Sequence, residues 1–198
     1  MTKSRKILVC LLVAMASVAS TAPRAAEQLV APAVPDGLEV DGPYKPFLKA
    51  HAFGTQNYIC APAATASGLD WVFIGPQATL FDDDVEQSLT HFFSKNPDKE
   101  NAIQATWQHS RDSSAVWATR HAGSLDSRFV APGAIEWLLL DVSGAEYGPR
   151  GGDKLARTAF IQRVNTVGGV KPPSAECTAA TLNVKRFVSY EADYFFYR

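Results

Sequence analysis

The chain has 198 residues, 46% of them hydrophobic and 20% charged, and its formal net charge at pH 7 is −1. This length and composition predict one globular domain with a substantial core. A charge balance this close to neutral excludes the basic surface that phosphate backbones require, so we expect no nucleic-acid partner.

The amino terminus predicts export. A basic head precedes the apolar run ILVCLLVAMASVAS and further small residues, which is the pattern of a signal peptide. The run has about 14 residues, against the ~20 that cross a bilayer, and no later segment is comparable, so we expect no membrane span after its removal. We assign residues 1–20 to the signal peptide, with cleavage as late as residue 26 as an alternative. The mature protein is then periplasmic or extracellular.

The cysteine count predicts a disulfide. Cys10 lies within the apolar run and is lost with the signal, so the mature chain keeps only Cys60 and Cys177. An even number of cysteines in an oxidising compartment favours a bridge, and the alternative is two separate buried thiols. Closing so long a loop would stabilise the fold by roughly 4 to 5 kcal/mol on the chain-entropy model.

We divide the mature chain into an extended lead-in at residues 21–50 and a single β domain at residues 51–198. The lead-in is rich in proline and glycine, with one edge strand predicted at 37–40. Strands follow at GTQNYIC, at DWVFIG and, after a turn at residues 75–77, at ATLF. IEWLLLDVSG is predicted as a buried strand, and FVSYEADYFFYR has the clearest alternation in the chain.

Two segments fit either a helix or strands. Residues 81–93, FDDDVEQSLTHFF, fit a helix capped at Asp83 or a hairpin that turns at 83–85. Residues 153–166, DKLARTAFIQRVNT, have apolar residues at helical spacing, but β-branched residues and a following Gly-Gly pair favour a strand. Local pattern alone weights both alternatives equally.

The segment ATWQHSRDSSAVWATRH concentrates residue types that catalyse reactions and bind metals. A bend at SRDSS predicts a hairpin in which Trp107 faces Trp117, with His109 on the same face. In that hairpin His109 and His121 are about 20 Å apart, too far to share a metal. We predict no metal site and no cofactor, and we name Trp107, His109 and Arg111 as the surface-site residues to test first.

The sequence lacks familiar catalytic motifs. It has no G-x-S-x-G, and GPRGGDK carries Asp153 where a phosphate loop has glycine before its lysine. A glycosidase carboxylate pair is defined by separation in space, so an enzyme of that kind stays open. The acids nearest the predicted buried strands are Glu136, Asp141, Glu191 and Asp193.

A family resemblance adds to this interpretation. The order GTQNYIC, WVFIGPQATLF, ATWQHSRDSSAVWA, APGAIEWLLL, FIQRVNTVGG, a cysteine and YEADYFFYR resembles the secreted domain of unknown function 3455 family, over about residues 54–198. The resemblance implies an exported protein of one compact domain with no established activity, and it favours the hairpin at residues 82–93. The chain departs from the family pattern at Val85, where a turn glycine is usual, and at Glu136, where a proline precedes Trp137.

Together these observations predict a mainly β fold, an antiparallel sandwich or barrel of about eight strands with few or no helices. We predict an exported domain that binds something, such as a small molecule or a glycan, or supports the cell envelope without catalysis. The alternative is an exported hydrolase or carbohydrate-active enzyme whose site is assembled in space.

Overall fold

The structure is a computed structural model that describes residues 28–66 and 68–198. The predicted signal peptide and its cleavage site lie outside these residues. The strands in chain order are β1 (Pro46–Pro62), β2 (Leu69–Phe81), β3 (Gln87–Asn96), β4 (Ala102–His109), β5 (Ala115–Ser124), β6 (Trp137–Glu146), β7 (Phe160–Gly168) and β8 (Lys185–Tyr197). The described residues also form short 3-10 helices at Pro97–Lys99, Ser174–Glu176 and Ala179–Thr181. None of the described residues forms a helix long and apolar enough to cross a membrane.

The strands form one closed antiparallel barrel. Each strand pairs with the next along the chain, and β8 returns to pair with β1. Closure pairs every strand with a neighbour on both sides over at least part of its length. The prediction of a mainly β fold with about eight strands is confirmed, and the barrel alternative is the correct one. The first strand begins at Pro46, inside the segment predicted as lead-in.

Alternation along β8 explains how the barrel fills. Tyr190, Ala192, Tyr194 and Phe196 belong to the interior cluster and are at most 2% exposed. Small residues of β1 oppose the large ones, with Ala50 paired to Tyr194 and Gly54 to Tyr190. A small residue opposite a large one lets side chains from both walls share the narrow interior of an eight-stranded barrel.

A second apolar cluster lies on the outer face of β6, β7 and β8. Leu38 of the lead-in is 1% exposed and packs there with Trp137 and Phe195. The edge strand predicted at 37–40 is wrong, because the Leu38 carbonyl accepts a hydrogen bond from the Gln162 side chain at 2.6 Å instead of from a neighbouring strand. The lead-in therefore covers the barrel wall without extending the sheet.

The segment at 81–93 forms a hairpin, and its helical alternative is wrong. Residues 82–86 connect β2 to β3, and Asp82 Oδ1 accepts the backbone N–H groups of Asp84 at 3.1 Å and Glu86 at 2.9 Å. Val85 has φ 62°, the left-handed conformation that a turn glycine takes without strain. The departure from the family pattern at Val85 therefore falls where the backbone needs a positive φ. The segment at 153–166 likewise runs into strand β7 and forms no helix.

The predicted turn at residues 75–77 is wrong. Strand β2 runs through these residues and contains a bulge, because Asn57 pairs with Gly75 while the next residue, Tyr58, pairs with Phe73. Gly75 has φ 130°, which a residue with a side chain rarely adopts. Pro76 is tolerated because β2 pairs with β3 only from Ala78 onward, leaving this stretch unpaired on one side.

The predicted pairing of Trp107 with Trp117 is wrong by one residue. Trp107 pairs with Val116, and Thr106 pairs with Trp117. A shift of one residue moves a side chain to the opposite face of a sheet, so Trp107 points into the barrel while Trp117 lies on the outer face. There the Trp117 Nε1–H donates to Ser94 Oγ at 2.8 Å.

The disulfide prediction is confirmed. Cys60 and Cys177 are bonded, with their Cα atoms 5.3 Å apart. The bridge joins β1 to the connection between β7 and β8, and it packs with Tyr58 and Trp71 in a third apolar cluster.

Candidate functional site

Leu155 closes one end of the barrel. It lies in the β6–β7 connection, is 0% exposed and belongs to the interior cluster. The β4–β5 turn holds this connection in place: Ser114 Oγ accepts the Leu155 N–H at 3.1 Å, and Asp112 Oδ2 accepts the Lys154 N–H at 2.9 Å. The serine-rich bend at residues 110–114 therefore has a structural role. It anchors the part of the β6–β7 connection around Leu155, which we call the plug.

Towards the other end, the barrel contains a cavity of about 330 Å³. That volume lies in the range of pockets that hold a small ligand. Its apolar lining comes from Phe73, Pro76, Phe93, Ile103, Ala105, Trp107, Ala118, Leu138 and Leu140. Its polar lining comes from Gln56, His91, Gln104, Thr119, Arg120, Arg163 and Tyr194.

The cavity opens where the β3–β4 hairpin leaves the barrel wall. Pairing of β3 with β2 reaches only to His91, and pairing of β4 with β5 reaches only to Ala105. Beyond these points the hairpin packs on the outer face of β5 and β6, where the Asn96 amide donates to Ser143 Oγ at 3.2 Å. The departure of the hairpin leaves a lateral mouth between β2, the hairpin and β5.

Two aromatic rings border this mouth. The bulge at Gly75 reverses which residues of β2 face inward, so both Phe73 and Pro76 reach the cavity. The rings of Phe73 and Phe93 meet edge to face with centroids 5.5 Å apart, and each residue is more than a third exposed. Exposed rings beside a cavity give an apolar molecule a favourable surface on its way in.

Three residues of the cavity wall carry buried N–H groups that have no hydrogen-bond acceptor in the described part of the chain. These groups are Gln56 Nε2, Trp107 Nε1 and Arg163 Nε. The Gln56 amide lies near the Tyr190 hydroxyl but outside hydrogen-bond geometry. A buried donor without an acceptor costs roughly 1–3 kcal/mol, so three of them around one cavity indicate that an acceptor belongs there.

His91 is a neutral member of the wall. Its Nδ1 lies 2.8 Å from the Thr106 carbonyl oxygen, and because a carbonyl can only accept, Nδ1 carries the proton. The ring stacks on Trp107 with centroids 4.0 Å apart and planes 10° apart. Burial lowers the pKa of His91 to about 3, so the imidazole is uncharged at neutral pH.

Arg163 supplies positive charge to the interior. Its Nη2 donates to the backbone carbonyl of Glu136 at 2.9 Å. The nearby hydroxyls of Tyr190 and Tyr194 lie 3.4 Å apart, and burial raises the pKa of both, so they stay protonated at neutral pH. Arg163 therefore lies among neutral partners.

A larger groove of about 850 Å³ lies on the outer face of β1, β2 and β3. It borders Phe53 and Phe187, which are 48% and 61% exposed. Its polar groups meet solvent or each other, as when Thr55 Oγ1 donates to Asn57 Oδ1 at 2.7 Å. Among the described residues, a fourth buried donor without an acceptor, Trp137 Nε1, lies alone in the outer apolar cluster. We place the candidate site in the interior cavity, because three such donors line it together.

The structure separates the three residues singled out from the sequence. Trp107 lines the cavity, whereas His109 and Arg111 lie at the plugged end. Burial lowers the pKa of His109, whose Nδ1 is 3.0 Å from Asp112 Oδ1. Arg111 is exposed and forms an ion pair with Glu86. They do not form one site.

Acidic residues do not converge on the cavity. The sequence left a glycosidase possible because four acids lie near the predicted buried strands, but none of the four lines the cavity. Each of them pairs instead with a basic side chain. The pairs are Glu136–Arg120 at 3.0 Å, Asp141–His121 at 2.9 Å, Asp193–His51 at 2.7 Å and Glu191–His51 at 3.6 Å. No cluster of three or more His, Cys, Asp or Glu residues suited to a metal occurs within residues 28–66 and 68–198.

Sequence reasoning missed Gln56 and Arg163. The signal that the sequence offers for each of them is a polar residue within a strand of alternating residues. Gln56 continues the inward series of Ala50 and Ala52, and Arg163 comes two positions after the buried Ile161. Recognising them required knowing which face of each strand points inward, and that depends on pairing.

Fold and cavity together define the class: an eight-stranded antiparallel barrel with one plugged end and an internal pocket. The family model described as "Protein of unknown function (DUF3455)" matches residues 42–198, and the chain belongs to that family. No curated protein and no solved structure matches the chain.

Proposed function

We propose that this protein is an exported binding protein that holds one small, largely apolar molecule in the barrel cavity. The observation that carries the proposal is the set of buried donors without acceptors, Gln56 Nε2, Trp107 Nε1 and Arg163 Nε, around a mostly apolar pocket. An apolar wall with a few oriented polar groups is the usual composition of a small-molecule site.

The size of the ligand follows from the cavity. A water molecule occupies about 30 Å³ of liquid, so a cavity of about 330 Å³ has room for about ten non-hydrogen atoms. Barrels with this number of strands have interiors wide enough for one such ligand. A polymer such as a long glycan would have to leave most of its length outside.

Export is part of the proposal. The disulfide between Cys60 and Cys177 is consistent with an oxidising compartment, which agrees with the signal-peptide pattern of residues 1–20. A role without catalysis is supported by the cavity wall, which brings together donors and aromatic rings and contains no acidic side chain.

A ligand screen on the purified, oxidised protein tests this function. Thermal unfolding is measured with a panel of neutral, anionic and cationic apolar molecules of about ten non-hydrogen atoms. A ligand present at a hundred times its dissociation constant stabilises the folded state by about 2.7 kcal/mol, which is a clear rise in melting temperature. Molecules that raise it are then titrated by calorimetry.

Filling the cavity should abolish this binding. Ala105→Leu and Ala118→Leu each place extra carbon atoms in the pocket, and overpacking costs about 1–3 kcal/mol of stability. Ala102→Leu is the matched control, since Ala102 is exposed on the same strand as Ala105 and does not line the cavity. If every panel molecule fails to bind, or binds both filled variants as well as the control, the proposal is wrong.

A further inference from the structure

Among residues 28–66 and 68–198, the charge of Arg163 has no acidic partner. Its Nη2 donates to a neutral backbone carbonyl, that of Glu136, at 2.9 Å, and the guanidinium also interacts with the neutral Tyr194 hydroxyl. Its Nε has no acceptor in the described part of the chain. The residues that line the cavity include no aspartate or glutamate. Arg163 is half-buried, with its Nε enclosed, and a charge held partly away from water is stabilised when a negative group joins it.

The neighbours of Arg163 cannot supply that negative group. His91 is neutral at Nε2 because its proton is held at Nδ1 by the Thr106 carbonyl. Tyr190 and Tyr194 are buried hydroxyls that contact each other at 3.4 Å. The second arginine of the wall, Arg120, is exposed at the mouth and is already paired with Glu136 at 3.0 Å.

The unpartnered groups are donors that cannot turn into acceptors. An indole N–H and a guanidinium N–H can only donate, so Trp107 and Arg163 both require an acceptor, whereas the Gln56 amide can present either end. A carboxylate has two oxygens that accept several hydrogen bonds, and a charged acceptor binds a guanidinium roughly twice as strongly as a neutral one.

From this geometry we infer that the ligand is a monocarboxylate with an apolar body, whose carboxylate is bound by Arg163 and Trp107 inside the barrel. The apolar body lies against Leu138, Leu140 and the rings that border the mouth. This inference rests on the proposed function and adds the charge and chemistry of the ligand's head group. Arg163 is a specificity-determining residue in this arrangement.

Calorimetric titration with octanoate, 1-octanol and octylamine at neutral pH tests the inference, because the three molecules share an alkyl chain and differ in head group. We expect octanoate to bind about tenfold or more tightly than either of the others, the usual size of a hydrogen bond to a charged partner. Arg163→Gln should remove this preference, and Arg163→Lys should retain part of it, since lysine keeps the charge and loses the planar fork. Arg157→Gln is the control, as Arg157 is exposed, pairs with Asp153 and does not line the cavity.

The outcomes separate the inference from the proposed function. Equal binding of 1-octanol and octanoate, or a preference for octylamine, overturns the inference and leaves a small-molecule site standing. The same holds if octanoate fails while a neutral molecule of the ligand screen binds. Failure of every molecule overturns both. The head-group comparison uses the wild-type protein, so it decides the matter even if Arg163→Gln does not fold.

Discussion

Mild acid should destabilise the protein through His91. Burial lowers the pKa of this imidazole to about 3, whereas in the unfolded chain it has its ordinary value of 6.5. Between these values the unfolded state binds a proton that the folded state rejects, so stability falls as the pH falls through this window. The slope is about 1.4 kcal/mol per pH unit, which amounts to about 3 kcal/mol between pH 6.5 and pH 4.

The assay is urea unfolding of the oxidised protein at a series of pH values, followed by tryptophan fluorescence. His91→Asn is the informative variant, because its amide N–H can replace Nδ1–H as donor to Thr106 and it does not titrate. It should be less stable than wild type at pH 7, through lost packing on Trp107, and the difference should shrink as the pH falls.

The exposed His121 provides the matched control, because His121→Asn makes the same substitution away from the buried ring stack of His91 and Trp107. If wild type and His91→Asn lose stability in parallel from pH 6.5 to pH 4, the acid sensitivity does not come from His91.

Further predictions concern the turn after β2, the plug anchor and the disulfide. Val85→Gly should raise the free energy of unfolding by about 1 kcal/mol, because an exposed β-branched residue with φ 62° is replaced by one that adopts this conformation freely, and a lower urea midpoint would contradict it. Although burial by itself raises the pKa of Asp112, the N–H groups of Lys154 and Ser114 lower it to about 2. Asp112→Asn should therefore cost about 2 kcal/mol at neutral pH, and this cost should disappear as the pH falls from about 4 to 2, whereas an acid-independent difference would count against these hydrogen bonds. Replacing both Cys60 and Cys177 with alanine should lower stability by about 2–5 kcal/mol, and reduction of the wild-type protein should add the mass of the hydrogens that cap the two thiols. An unchanged mass on reduction would exclude the bridge.

Local pattern was enough to predict a mainly β fold of about eight strands, and it left a sandwich and a barrel as alternatives. The alternation of FVSYEADYFFYR predicted β8, and its aromatic residues do fill the barrel and cover its outer face. Turn residues at the ends of apolar runs predicted most of the other strands. The two cysteines that remain after loss of the predicted signal peptide predicted the bridge between Cys60 and Cys177. These features depend on residues close in sequence, or on counting, and need no knowledge of which strands meet.

The site depended on contacts that no local pattern specifies. A strand with a period of two has two equivalent faces, and only its pairing decides which one points inward. The strand register pairs Trp107 with Val116 and not with Trp117, so Trp107 points into the barrel and Trp117 lies outside. The bulge at Gly75 turns Phe73 towards the mouth of the cavity. The sequence by itself determined a disulfide-linked β domain. Tertiary structure alone decided that Gln56, Trp107 and Arg163, from three separate strands, would face one cavity, because closure of the barrel is what brings distant inward positions together.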